Sequence, residues 1–347
     1  MIFLGDVACP EERLDTFRKW TAEQEAFCDE VVVLNLEAAI VDDSAERKNL
    51  TLYNVGKFTE CFPQAKKVIV SLANNHMYDY PEKIVNTKHY LEVHGIGCFG
   101  LYAGGKIIPY EFEENGVKYA LFGHCWRLYT HTNCNNVNDV QVVDCLYDEF
   151  LEIVRNYVND HSDTFVYCFM HWNYDLEQLP LPMQRKLSRE LIDVGVSGVI
   201  GSHSHRPQGM EIYREKPIAY CLGNFYLPSG IYFSGKLSFP ECAKTTYGVK
   251  ISDNSMETLW FKTDVSEMIP LIFETREPFA QGQKSKEYSP FCGMNKSDYL
   301  KFFTKNRAKK MLVAKFEEPY GKQYLVDETW AINRVKVLRK IKGLLGK

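Results

Sequence analysis

Five short runs of strand-forming residues in this chain each end in the same chemistry. MIFL leads into Gly5-Asp6, VVVL into Asn35-Leu36-Glu37, and VIVSLA into Asn74-Asn75-His76. VYCFM leads into His171-Trp172-Asn173, and SGVIG into Ser202-His203-Ser204-His205. Helical patterns separate the runs, at Glu11 to Glu25, Pro81 to His94 and Met183 to Val194. Strands alternating with helices imply a mostly parallel sheet with crossover connections. In such sheets the carboxyl ends of the strands line the ligand crevice, so side chains distant in sequence meet there.

Local signals support the assignment. Pro10 and Pro81 stand where a first-turn proline is tolerated, and Gly95 stops the second helix. IIPYEFEENGVKYALFG carries two alternating runs around Asn115-Gly116, a strong hairpin signal. A helix bearing Leu146, Phe150, Ile153 and Val154 follows it. IAYCLGNF and TTYGVKI read as further short strands, and suggest a second sheet packed on the first. The fold class expected is α/β, a four-layer αββα sandwich of two mixed sheets flanked by helices, with a C-terminal helical extension.

Composition narrows the class. With 45% apolar and 14% aromatic residues in 347, the chain can bury a large core. A net charge of −4 gives no basic field for nucleic acid. Eleven cysteines without CxxC spacing read as reduced thiols. The first strand begins at Met1, which leaves no room for a signal peptide, and no run of eighteen apolar residues is present. A cytoplasmic location is expected. Past Phe279 the pattern turns to charged helical sequence, so a soft boundary is drawn between a main domain, 1–265, and an extension, 266–347. The final stretch from Arg334 holds six positive and no negative side chains, with Val337, Leu338, Ile341, Leu344 and Leu345 at helical spacing. A helix of this kind docks on an acidic domain surface or lies on the anionic inner face of a membrane.

Carboxylate, amide and imidazole donors without thiolate suit Mn²⁺, Fe or Zn²⁺ in a mixed N/O site. About six donors exceed one tetrahedral ion, whereas two divalent ions roughly 3.5–4 Å apart, sharing a carboxylate, use them all. Such pairs serve phosphate ester hydrolysis by making a nucleophile of water and clamping the oxygens of an in-line displacement. His203 and His205, one residue apart, would share a face if the strand continued through them.

The blocks GD at 5–6, NLE at 35–37, LANNHMYDY at 72–80, HWNYD at 171–175, GSHSH at 201–205 and LGNF at 222–225 resemble the bacterial CapA family. That family is associated with capsule and poly-γ-glutamate synthesis and is similar to the calcineurin-like metallophosphoesterases. The resemblance covers roughly residues 1 to 265. It implies metal ligands at Asp6, Glu37, Asn75, His171, His203 and His205, with Glu37 in the bridging position and His76 as general acid. Asp79, three residues on, would orient His76 or serve only as a turn residue. Asn75 would otherwise cap the next turn. Asn35, Asn173 and Arg206 are candidate substrate contacts; the planar fork of Arg206 suits a phosphate, or equally a surface salt bridge.

The chain departs from the phosphoesterase pattern in reading Asp6-Val7-Ala8 where Asp-x-His is usual, in carrying Glu37 for an aspartate, and in Asn173 for a glycine. His124 ends a strand on the same side, where a satisfied core position is the plainer expectation. The expected function is metal-dependent hydrolysis of a phosphorylated small molecule or glycan in making or modifying a capsular or other surface polymer. The alternative is a non-catalytic metal-binding accessory or scaffold working with other capsule-synthesis proteins.

Overall fold

The computed structural model describes residues 1–126, 140–252, 255–263, 270–308 and 337. The basic stretch from Arg334 lies, but for Val337, outside them. In chain order the first half holds β1 (Ile2–Val7), α1 (Glu11–Ala22), β2 (Val31–Leu36), β3 (Lys67–Ser71), α2 (Ile84–Val93), β4 (Gly97–Phe99) and a small hairpin, β5 (Tyr102–Ala103) with β6 (Lys106–Ile107). Next come β7 (Tyr110–Glu114), β8 (Val117–Cys125), α3 (Tyr147–Asp160), β9 (Thr164–His171), α4 (Pro182–Asp193), β10 (Gly198–Ser202), β11 (Met210–Tyr213) and β12 (Lys216–Ala219). The remainder is β13 (Asn224–Tyr226), the single turn α5 (Tyr232–Gly235), β14 (Thr245–Ser252), β15 (Ser255–Thr263), β16 (Leu271–Pro278), α6 (Gln283–Tyr288) and α7 (Lys296–Asn306).

Two mixed sheets result. One runs β16-β15-β14-β1-β2-β3-β4 with β13 also on β1, and the other runs β11-β12-β10-β9-β8-β7. β1 to β4 are parallel, as are β8, β9, β10 and β12. Strand alternation decides the layering. Val31 and Val33 of β2 face a cluster that also holds Tyr167 and Phe169 of β9, while Val32 and Leu34 face Phe17 of α1 and Leu91 of α2. On β9, Val166, Cys168 and Met170 turn the other way, toward Phe150 of α3 and Leu187 of α4. Strands buried on both faces therefore sit between two helical layers, the expected αββα sandwich. The sheets touch through aromatic rings, with Phe3 5.3 Å from Tyr167 and 6.4 Å from Phe169.

The punctuation behaves as its chemistry dictates. Asn115 and Gly116 take φ of 51° and 78°, the doubly left-handed turn that matches hairpin twist, and Gly95 stops α2 at φ 75°. IAYCLGNF does not form a single strand. β12 belongs to the second sheet and β13 to the first, and Gly223 between them adopts φ 86° as the chain crosses over. TTYGVKI joins the first sheet as β14, and the second is built from β7 to β12 instead. Residues 271–308, within the stretch assigned to the extension, supply β16 on the edge of the first sheet and set Phe291, Tyr299 and Phe303 in the core beneath α4. Among the described residues no helix is long and apolar enough to cross a membrane, and the described cysteines are free thiols.

At Gly5, β1 changes neighbours from β14 to β13, and the Asp6 amide donates to the Gly223 carbonyl at 3.0 Å. A Cβ on Gly5 would lie 1.9 Å from that carbonyl oxygen. Gly5→Ala is expected to cost about 1–3 kcal/mol through backbone displacement, read as a lower urea midpoint at unchanged slope. An unaltered midpoint would contradict this account of the crossing.

Candidate metal centre

Asp6, the next-to-last residue of β1, is fully buried. Its Oδ1 accepts from Asn35 Nδ2 at 2.8 Å and its Oδ2 from the His203 backbone amide at 3.1 Å. Glu37 follows β2 and is also fully buried, yet neither carboxylate oxygen has a hydrogen-bond partner among the described residues. Three imidazole nitrogens face its Oε1 instead: Nε2 of His76 at 3.8 Å, of His205 at 3.9 Å and of His171 at 4.0 Å. These distances are too long for hydrogen bonds. They fall within the roughly 4.0–4.3 Å that two donor-to-metal bonds of about 2.0–2.2 Å can span.

His171 ends β9. Its Nδ1 meets Ser202 Oγ at 3.0 Å, leaving Nε2 directed at Asn75 Oδ1, 2.8 Å away, and His203 Nδ1, 2.9 Å away. An amide oxygen, two ring nitrogens and a carboxylate oxygen cannot all be satisfied by shared protons, whereas a cation accepts electron pairs from each. The amide flanking this group is held by its neighbour: Asn74, not Asn75, caps the following turn, accepting from the Met77 amide at 3.2 Å and donating to the Leu36 carbonyl at 2.9 Å. His205 Nδ1 lies 2.9 Å from Asn224 Oδ1, which turns Nε2 toward Glu37.

Among the described residues three groups have ligand atoms close enough together to hold a metal ion: Glu37, His171 and His203; Asp6, Glu37 and His205; and Asp175, His203 and His205. Glu37 is common to two of them. Its pKa is pushed well above the usual carboxylate value by burial first and then by the charges of Asp6, Asp175 and Asp79. Burial also raises Asp6, against the opposing pull of His205. Burial, then repulsion from His203, His205 and His76, holds His171 well below its ordinary value, and burial lowers His205. Asp175, at the rim with its side chain 62% exposed, lies 3.2 Å from His203 Nε2. Its carboxyl is held down because that contact and the histidine charges outweigh desolvation. Two buried imidazoles held below their ordinary value, at His171 and His205, and a buried carboxylate without a hydrogen bond form a donor set that fits a divalent cation.

The six residues expected as ligands, Asp6, Glu37, Asn75, His171, His203 and His205, all come together here. The reason expected for the last two does not hold. β10 ends at Ser202, and His203 and His205 converge from left-handed backbone at φ 90° and 56°, not by strand alternation. Such conformations at non-glycine residues store strain and cluster at working sites. Ala38 and Asn173, at φ 92° and 80°, do the same beside the ends of β2 and β9.

His76 lies just outside the three groups, with Nδ1 2.9 Å from Asp79 Oδ2. The same oxygen accepts from the Leu52 amide at 2.8 Å, so Asp79 is more than a turn residue. Asn35 does not face the crevice: it is fully buried, bonded to Asp6 and to Asn74 Nδ2 at 3.2 Å, and so steadies a ligand. Both polar atoms of Asn173 close their own turn, donating to the Leu179 carbonyl and accepting from the Tyr174 amide. Arg206 turns to a separate cleft of about 430 Å³ that it shares with Gln178, Glu287 and Asn306. His124 is a core residue, 2.8 Å from the Cys145 carbonyl and pushed down to about 4 by burial. Two residues of the site carried no assigned role in the sequence, Asp175 and Asn224, although both stand inside the quoted blocks HWNYD and LGNF.

Fold and site together define a class: an α/β sandwich protein with a buried carboxylate, amide and imidazole cluster, suited to divalent cations, at the carboxyl ends of its parallel strands. The chain belongs to the family described as bacterial capsule synthesis protein PGA_cap, whose family model matches residues 10–229. It is 24% identical over 207 residues to the capsule biosynthesis protein CapA of Bacillus anthracis, covering 53% of this chain and 46% of that one. It is 27% identical over 172 residues to the PGA biosynthesis protein CapA of Bacillus subtilis (strain 168), covering 47% and 43%. The chain thus spans less than half the length of these relatives. Among solved structures, a novel phosphatase from Mycoplasma pneumoniae matches at a TM-score of 0.43 and 12% identity, over 80% of this chain and 92% of that one.

Because the folded pKa of Glu37 lies above its ordinary 4.5, the metal-free protein loses stability as pH rises from 4.5 through the raised value, where the unfolded chain has already released the proton. A bound cation displaces that proton. Saturating Mn²⁺ at a pH just above 4.5, followed by calorimetry in buffers of different ionisation enthalpy, is expected to release fewer protons from Glu37→Gln than from wild type. Equal release would contradict the assignment.

Proposed function

We propose that this protein is a metal-dependent phosphoesterase acting on a phosphorylated small molecule or glycan in the synthesis or modification of a capsular or other surface polymer. The observation that carries the reading is the His76–Asp79 pair. A group that only held metal would not require an imidazole whose Nδ1 is anchored by a carboxylate at 2.9 Å and whose Nε2 is aimed at the shared ligand Glu37 from the half-buried edge of the cluster.

In this reading Glu37, Asn75, His171 and His203 would hold one divalent ion, Mn²⁺, Fe or Zn²⁺, and Glu37, Asp6 and His205 would hold a second. Bound there, they would supply Lewis acidity toward phosphoryl oxygens and acidify a water molecule. The remaining work belongs to the chain. Asp79 accepts the Nδ1–H of His76 and so supports the imidazolium form, whose Nε2 proton passes to the leaving oxygen as the ring returns to its neutral Nδ1–H form. Asn35 and the His203 amide keep Asp6 in place, and Asn224 does the same for His205. Asp175 at the rim balances charge on His203. Action in the cytoplasm beside other capsule-synthesis proteins is part of the proposal; the relatives' names support the tie to capsule synthesis.

The competing reading, a metal-binding accessory component without turnover, uses the same ligands and leaves His76 idle. Hydrolysis of p-nitrophenyl phosphate and its bis-ester with Mn²⁺ separates the two. His76→Ala is expected to retain metal and lose about 10²- to 10⁴-fold in kcat, whereas His203→Ala loses metal as well. Equal rates in wild type and both variants would refute the catalytic role.

A further inference from the structure

A second feature adjoins the metal centre. Asn224, only 4% exposed, gives Oδ1 to His205, while its Nδ2 is buried with no hydrogen-bond partner among the described residues. It lines a cleft of about 260 Å³ whose walls include Arg13, Ser229, Ser238, Phe239 and Lys244, with no carboxylate among the lining side chains of the described residues. Phe239 connects the two spaces, its ring lying 5.4 Å from that of His205. A space of this size takes one substituent of a ligand, since whole-ligand pockets start at about 300 Å³.

The charge around the cleft is lopsided. Lys244 pairs with Glu241 at 3.0 Å, but the other oxygen of Glu241 is held at the same distance by Lys262, so one carboxylate serves two ammonium groups. Glu241 is 66% exposed, and exposed pairs of this kind are weak because water screens them. Lys244 can therefore exchange it for a ligand at little loss. In the chain between Ser229 and Ser238, Phe233 and Ser234 stand in succession at φ 54° and 56°, and the Phe233 ring lies 6.4 Å from that of His76.

We propose that the cleft between Asn224 and Lys244 is a subsite for a second anionic group, carboxylate or phosphate, on the part of the substrate remote from the reacting phosphorus. Asn224 Nδ2 and Lys244 Nζ act as donors, and Arg13 adds positive field. Asn224 then joins the two spaces, since the amide that binds the remote anion also orients His205. The inference rests on the phosphoesterase reading for the identity of the reacting group, and its test does not depend on turnover.

The test is calorimetric titration of the full chain with three phosphonates that cannot be hydrolysed: benzylphosphonate, 4-carboxybenzylphosphonate and 1,4-xylylenebisphosphonate. One charge-assisted contact predicts that one or both of the doubly charged compounds bind about tenfold tighter than benzylphosphonate. The compound that gains identifies the anion. The margin is expected to fall to about twofold or less in Lys244→Gln and in Arg13→Gln, with melting curves confirming that each variant is folded. Equal binding of all three, no binding of any, or a margin that survives both substitutions overturns the subsite. A margin that persists in a protein without ester hydrolysis leaves the subsite standing and removes the phosphoesterase reading.

Discussion

The organisation of this protein turns on one carboxylate that the fold buries without a partner. Glu37 sits at zero exposure with both oxygens lacking a hydrogen bond among the described residues, and with carboxylates, not cations, as its nearest charges. Removing an ionised carboxylate from water is expensive, and an unpaired one either takes up a proton or acquires a cation. The imidazoles arrayed 3.8–4.0 Å from its Oε1 make the second outcome chemically available. Glu37, His171 and His205 cannot be replaced one at a time without leaving the others in an environment worse than water.

Only a particular scaffold can hold such a group. Strands buried on both faces need apolar residues, and β1, β2, β9 and β10 are apolar through their middles. The polar side chains of the site enter at the last one or two residues of these strands, at Asp6, Asn35, His171 and Ser202, and in the loops beyond, where the two sheets open. Asp6 comes from one sheet and His171 from the other, so the cluster also connects the sheets at that rim. The bond from the His203 amide to Asp6 is one such connection. Strain in the ligand-bearing loops, at Ala38, Asn173, His203 and His205, is maintained by the packing beneath them.

Much of this was legible in the chain. A run of apolar residues ending in Asp, Glu, Asn or His states both where a strand stops and what chemistry stands there, and five such endings pick out the polar residues that gather at the rim without any knowledge of pairing. What could not be read was the backbone path beyond each ending. His203-Ser204-His205 looks like strand alternation but is built from left-handed residues, because the sheet has already finished. Asn35 and Asn173 look like ligands or substrate contacts because their type suits that role, yet their hydrogen-bonding capacity is consumed locally, by Asp6 and Asn74 in one case and by a turn in the other. Asn224 and Asp175 escaped notice for the opposite reason. Their roles arise from contacts with His205 and His203, tens of residues away, and only the crossing of the chain between sheets at Gly223 brings Asn224 there.

The most direct test of the account is anomalous diffraction from crystals of the full chain grown with Mn²⁺. The account predicts two anomalous peaks flanking the Glu37 carboxylate, one among Asn75, His171 and His203 and the other beside Asp6 and His205. A map without a peak at Glu37, or with a lone ion that leaves its carboxylate untouched, would contradict it.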